Sequence, residues 1–284
     1  MANSPVLAQG TLTAGDGLTL RTQLWTPERA TKALVVLTHG HGEHSSRYGH
    51  VAAALAAGGY AVAAYDVRGH GRSGGPRGHT PSYAQLLDDQ QVVVDWARRT
   101  VPTPKWFLYG HSMGGQIVLA YVLDRKPDAA GVVVTAPWLR LKFVPPAWKV
   151  QLGLTIGKVW PSFTMSSGLD KSQPLSHDTG HLNSMPELNL THTQITARLG
   201  ADALTHGADV LARAAAFKYP LLIMHGADDQ IMDPEGTRLF YAAAGSADKT
   251  VKIYPELYHE IHNEHPAQRG AVLSDIVAWL DQRA

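Results

Sequence analysis

The chain contains no cysteine, which rules out a disulfide framework, a thiolate nucleophile and a zinc site built on Cys ligands, and leaves the redox compartment open. Charge is also sparse. Asp, Glu, Lys and Arg make up 17% of the residues, the formal net charge is +1, and the basic residues are scattered rather than gathered in runs. Nucleic acid, which is held by clustered cations, is therefore not an expected partner. No stretch of about 18 apolar residues runs uninterrupted, so no membrane-spanning helix is expected. The opening residues Met1-Ala2-Asn3-Ser4-Pro5 lack a basic segment followed by an apolar one, and a cytoplasmic location is the expectation.

What is present is enough apolar material for a sizeable core: 44% of 284 residues are hydrophobic. A chain of that length and composition is expected to form one core carrying an insertion. There is no internal repeat and no low-complexity tract.

Leu7 to Thr13 and Leu18 to Thr26 are β-prone and are separated by the turn composition Ala14-Gly15-Asp16-Gly17, which predicts an opening antiparallel hairpin. Short apolar runs then alternate with helix-length segments. The runs are Ala33 to Thr38, Ala61 to Tyr65, Trp106 to Tyr109, Val132 to Thr135, Leu221 to Met224 and Val251 to Tyr254. Such alternation predicts βαβ units and a mainly parallel sheet with helices on both faces. Ser82 to Arg99 and Ala267 to Arg283 carry apolar residues at helical spacing, and Ala52 to Ala57 stops at Gly58-Gly59.

The stretch from Pro137 to Phe217 breaks this rhythm. It is longer than an ordinary crossover and holds two breaks, Pro145-Pro146 and Trp160-Pro161, around apolar Val150 to Val159. Its Trp138, Phe143, Trp148, Trp160 and Phe163 predict a helical cap over an apolar site. The expected division is therefore a core from residues 1–136 and 218–284 and a cap from 137–217.

Gly110-His111-Ser112-Met113-Gly114 matches the Gly-x-Ser-x-Gly turn, with an apolar run before it and helix-forming Gln116 to Leu123 after it. A serine hydroxyl is a weak nucleophile until an imidazole takes its proton, so an acid and a histidine are expected farther along. Asp228 follows the run Leu221 to Met224, and His259 follows Val251 to Tyr254. Both would emerge at the carboxyl edge of the sheet, where open α/β sheets bind ligands. Asp229 and Asp233 are rivals for the acid, and chain order favours Asp228. His262 and His265 are rivals for the base, and nearness to the strand end favours His259. An oxyanion needs two backbone donors, expected from Met113 and from the loop His39-Gly40-His41-Gly42, most naturally at His41. A zinc site on His39 and His41 would lack a third ligand nearby, so neither a metal nor a cofactor is expected.

Four segments taken together, Thr38-His39-Gly40-His41-Gly42-Glu43-His44-Ser45-Ser46-Arg47-Tyr48, Asp66-Val67-Arg68-Gly69-His70-Gly71-Arg72-Ser73, Gly110 to Gly115, and Tyr258-His259-Glu260-Ile261-His262-Asn263-Glu264, resemble the monoacylglycerol lipase and lysophospholipase family. The resemblance runs from near residue 7 to the carboxyl end and is looser in the insertion. It implies an α/β-hydrolase fold with a mainly parallel eight-stranded sheet and a cap, the triad Ser112, Asp228 and His259, and oxyanion donors at His41 and Met113. It also implies contacts from Glu43, Arg47 and His262 to a polar head group, although a structural ion pair between Glu43 and Arg47 is the competing reading. Asp66 and Arg68 read as a turn scaffold. The resemblance departs at His41, where many relatives carry a small or apolar residue.

The expected function is thus a serine hydrolase cleaving lipid-like carboxylic esters, foremost monoacylglycerol, with transient contact between cap and membrane or micelle. The alternatives are a lysophospholipase or short-chain carboxylesterase and, from another class, a non-catalytic hydrolase-fold binding protein.

Overall fold

The computed structural model describes residues 5–143, 146–168 and 174–284. Its frame is a sheet of strands β1 (Val6–Thr13), β2 (Thr19–Thr26), β3 (Ala33–Thr38), β4 (Tyr60–Tyr65), β5 (Trp106–His111), β6 (Gly131–Thr135), β9 (Leu221–Gly226) and β10 (Lys249–Tyr254). The eight strands lie in the order β1-β2-β4-β3-β5-β6-β9-β10. Only the β1–β2 and β2–β4 pairings are antiparallel; all others are parallel. The hairpin, the parallel sheet and the strand positions agree with expectation.

The physical reason for that agreement lies in burial. Strands β3, β4, β5, β6 and β9 are buried at every position, because helices cover both faces, and so they appear in sequence as unbroken apolar runs. Alternate residues feed two cores. Leu34 and Val36 join a core on one face, and Ala33, Val35 and Leu37 join the other. Truncating one such side chain, Leu37→Ala for example, would cost roughly 2–5 kcal/mol.

Helices α1 (Gly49–Ala57) and α8 (Pro266–Asp281) cover one face, and α2 (Tyr83–Thr100) and α3 (Met113–Arg125) the other. Helix α2 begins where Ser82 Oγ accepts from the Gln85 amide, and it buries Tyr83, Leu86, Leu87, Val93, Val94 and Ala97. Helix α8 starts on Pro266 and buries Val272, Leu273, Ile276 and Leu280, the apolar positions read from its spacing.

The insertion holds α4 (Ala147–Val159), α5 (Thr179–Ser184), α6 (Ala197–Ala212) and a short antiparallel ribbon of β7 (Thr164–Ser166) with β8 (Gln194–Thr196). It is not detached throughout. Leu199, Ala203 and Val210 of α6 belong to the main core, and Gln116 Nε2 donates to Ala203 O at 2.7 Å. Trp138, expected at an exposed apolar site, is buried in that core, because its backbone is bonded to the Ser112 turn. Phe143, Trp148 and Trp160 are exposed, and Phe163 is half-buried. Of the two proline breaks, Pro145 lies outside the described residues, as do Met1 to Ser4. Among the described residues no helix is long and apolar enough to cross a membrane.

Candidate active site

Ser112 stands between the end of β5 and the start of α3 with φ of +52° and ψ of −118°. A non-glycine residue in that region stores roughly 1–3 kcal/mol of strain, which persists only where the surroundings enforce it. Here they do. The Ser112 amide donates to Thr135 O at 3.0 Å, and its carbonyl accepts from Trp138 N at 2.9 Å and Gln116 N at 3.1 Å. The turn admits no side chain at Gly114, where a Cβ would collide with the carbonyls of Thr38 and His39. Ser112 and His259 both line a cavity of about 620 Å³ whose other walls come from the loop Gly40–Glu43 and from cap residues including Leu175, Leu182, Leu188 and His192.

The acid is placed differently from the expectation. Asp228 is exposed, while Asp229 is fully buried with Oδ2 2.6 Å from His259 Nδ1. The same oxygen lies 2.9 Å from His225 Nε2, and Oδ1 accepts from the amides of Ile231 at 2.7 Å and Met232 at 2.9 Å. Strand β9 continues to Gly226, past the expected end at Met224, and the turn after it sends Asp228 outward and Asp229 inward. The other rivals have structural work. Asp233 caps helix α7 (Pro234–Ala243) and pairs with Arg140, and His265 is the exposed residue preceding α8.

Burial alone would push the Asp229 carboxyl up, but the attraction of His259 and the hydrogen bonds from His225 and His259 hold it well below the ordinary carboxylate range. For His259 the balance runs the other way. Burial disfavours its cation, yet the Asp229 charge and hydrogen bond outweigh burial and leave it above the ordinary histidine value.

The loop after β3 lies against the serine. A Cβ on Gly40 would come 3.1 Å from Ser112 Cβ. The Gly40 amide donates to Glu43 Oε1 at 2.5 Å, so it is committed. His41 follows it in the cavity wall, and Met113 opens α3, whose amino end favours negative charge. His39 is a scaffold rather than a ligand. Its Nδ1 lies 2.7 Å from Gly40 O, and its Nε2 accepts from Val67 N at 2.9 Å.

Glu43, Arg47 and Glu260 form a buried ion cluster at the cavity edge. Arg47 Nη1 donates to Glu43 Oε2 at 2.7 Å, and its Nη2 donates to Glu260 Oε2 at 2.8 Å. Tyr48 O–H donates to Glu43 Oε1 at 2.7 Å. The geometry is that of the structural ion pair weighed for Glu43 and Arg47, with Glu260 added. With one cation between two carboxylates, burial wins at Glu43 and raises it, while at Glu260 burial is overcome by Arg47. His262 is buried between the rings of Tyr48 and His111, at 5.1 and 4.7 Å, and is absent from the cavity wall. Asp66 and Arg68 are the scaffold anticipated. Asp66 accepts from Ser45 N at 2.8 Å and Arg72 N at 2.7 Å, and Arg68 is paired with Asp89 at 2.6 Å.

One wall of the cavity is tied to the histidine loop. Glu264, fully buried, accepts from Ser176 Oγ at 3.2 Å, His177 N at 2.8 Å and Tyr258 N at 2.8 Å. The Glu260 amide donates to Leu175 O at 2.8 Å, and the His177 ring stacks on Tyr258 at 3.8 Å. Sequence reasoning ranked Asp229 behind Asp228 and missed Glu260 and this strap, although Glu260 and Glu264 stand in the segment around His259 that carried the resemblance.

Residues 29–266 match the family described as serine aminopeptidase, S33. The chain belongs to this family of α/β-hydrolases. An abhydrolase domain-containing protein of Dictyostelium discoideum is 36% identical over 96% of this chain, which spans 29% of that protein's length. The monoacylglycerol lipase of Mycolicibacterium smegmatis is 34% identical over 93% of each chain. Among solved structures, the monoacylglycerol lipase of Paleococcus ferrophilus is 32% identical and superposes with a TM-score of 0.81 over 98% of this chain and all of that one. The eight-stranded, mainly parallel sheet and its helices are those of the α/β-hydrolase fold.

Proposed function

We propose that this α/β-hydrolase is a serine esterase acting on lipid esters, and that it splits monoacylglycerol into glycerol and a free fatty acid. The observation that carries the reading is the buried Asp229–His259 pair at 2.6 Å in the same cavity as Ser112 on its strained turn. The named activity of the mycobacterial and archaeal relatives supports the choice of substrate.

In this mechanism His259 Nε2 takes the Ser112 proton as Oγ attacks the ester carbonyl. Nδ1–H donates to Asp229, which fixes the tautomer and stabilises the cation as it forms. The amides of His41 and Met113 hold the oxyanion. His259 then protonates the departing alcohol, and water releases the fatty acid by the same path. Glu43 and Arg47 shape the polar end of the cavity through their ion pair. The exposed Phe143, Leu152, Val159 and Trp160 of the cap give it a face that rests on a lipid aggregate during uptake of substrate.

The test is hydrolysis of monoacylglycerols of graded chain length, a lysophosphatidylcholine and a p-nitrophenyl ester by wild type and Ser112→Ala. Loss of about 10⁶-fold in kcat with the variant, and preference for monoacylglycerol in the wild type, is the expected result. Activity confined to short activated esters would demote the lipid substrate. Failure of a fluorophosphonate probe to label Ser112 would point to a non-catalytic binding protein.

A further inference from the structure

The cavity wall beside Ser112 contains an imidazole that the reaction above leaves unused. In the oxyanion role only the His41 amide acts, and its ring is packed edge-on between His192 at 5.6 Å, His70 at 5.3 Å and Trp138 at 6.4 Å. The protonation of that ring follows from its neighbours. His70 Nδ1 lies 3.0 Å from Arg68 O, a contact that requires an N–H, so His70 Nε2 is a lone pair. His41 Nδ1, 3.3 Å from that lone pair, must be the nitrogen bearing hydrogen. His41 Nε2 is then an acceptor. It is buried and has no hydrogen-bond partner among the described residues.

The ring cannot resolve this by taking up a proton. Burial, with the neighbouring His192 and His39, pushes it down to about 3. Buried acceptors without donors are uncommon and costly, and a ligand is one of the few things that satisfies them. The Trp138 indole N–H beside His41 is also buried and unpartnered. The orphan acceptor of His41 calls for a donor, and the donor a lipid ester can carry is a hydroxyl.

We propose that His41 Nε2 accepts a hydrogen bond from a hydroxyl carried by the substrate near the scissile carbonyl, making His41 a specificity-determining residue as well as an oxyanion donor. The inference rests on the ester-hydrolase reading. Two parts of a lipid ester could carry such a hydroxyl: the glyceryl group, or the acyl chain near its carbonyl.

The experiment uses two matched pairs on the full chain: glyceryl monolaurate against propyl laurate, and methyl beta-hydroxylaurate against methyl laurate. In the wild type at least one hydroxylated ester is expected to have the higher kcat/KM, and that pair identifies the carrier. His41→Phe keeps the ring and the backbone amide but removes the acceptor, and is expected to reduce that ratio about tenfold. His41→Gln, which can donate to His70 and still present an oxygen, is expected to restore part of it. Should His41→Phe fail to fold, imidazole nitrogen NMR of Ser112→Ala decides instead, the Nε2 signal of His41 moving with the hydroxylated ester and not with its partner. Hydrolysis without discrimination within either pair, a ratio unchanged in His41→Phe, or an unmoved Nε2 signal would overturn the assignment while leaving the esterase intact. No hydrolysis of any of the four esters and no labelling of Ser112 would remove both.

Discussion

Asp229 Oδ2 lies 2.6 Å from His259 Nδ1, while the side chain of the adjacent Asp228 faces solvent. One position in the chain therefore separates a carboxylate bonded to the proposed base from one exposed to solvent. Asp229→Asn is expected to lower kcat on a soluble ester by about 10⁴-fold, because the amide stabilises the wrong tautomer of His259. Asp228→Asn is expected to stay close to wild type. Steady-state kinetics of the two variants side by side decide the assignment, and a large loss in Asp228→Asn would reverse it.

The same pair sets a pH dependence. In the proposed mechanism His259 must be neutral to accept the serine proton, and Asp229 holds it above its ordinary value of about 6.5. The acid limb of kcat/KM is therefore expected above pH ~6.5 in the wild type, and below the wild-type position in the residual activity of Asp229→Asn. Stability follows the opposite sign. A raised His259 stabilises the fold fully below pH ~6.5 and loses that contribution as pH rises through its folded value. A lowered Asp229 stabilises above pH ~4 and loses its contribution as pH falls. The pair thus supports the fold most between those limits, on the acid side of its best catalysis. Urea unfolding across pH, compared between wild type and Asp229→Asn, measures the window.

Arg47 is flanked by two carboxylates whose side chains, like its own, are almost wholly buried. Arg47→Met leaves Glu43 and Glu260 without their shared cation and is expected to cost about 3–5 kcal/mol of stability. Lys32→Met, which breaks the exposed pair with Asp281, is expected to cost no more than about 1 kcal/mol. Denaturant midpoints at constant slope make the comparison. A small loss in Arg47→Met with a raised KM would mean that the arginine serves the substrate more than the fold.

Trp160 is 61% exposed on the cap, at the end of α4, 5.1 Å from the Phe163 ring. Trp160→Glu is expected to weaken hydrolysis of long-chain esters presented in micelles by several-fold while sparing short soluble ones. Equal loss on both classes would count against a lipid-facing cap.

Much of this was legible in the chain because full burial writes itself plainly: β3 to β6 and β9 are apolar at successive positions, and the elbow around Ser112 sits between a strand and a helix. Asp229 was legible as a candidate, and it ranked behind Asp228 for a geometric reason. Periodicity locates a strand end only to within a residue or two, and in a tight turn that error exchanges inside for outside. Trp138 read as a cap aromatic because it opens the stretch that breaks the strand-and-helix rhythm and holds further aromatics, whereas its burial comes with hydrogen bonds to a turn distant in sequence. Glu43 and Arg47, four apart on one loop, could be seen as a pair; that Glu260 closes the cluster from the far end of the chain had no local signal.

The strap at Glu264 has a consequence for how such a protein can change. Leu175 forms part of the cavity wall, and its carbonyl is held by the amide of Glu260, the residue next to the proposed base. A substitution that reshapes that wall to suit a longer or shorter chain also tugs on His259, so selectivity and turnover are expected to drift together there. Leu188 lines the same cavity from a segment that Glu187 anchors to Ser46, away from the histidine loop. Adaptation to a new acyl length has a freer hand on that side.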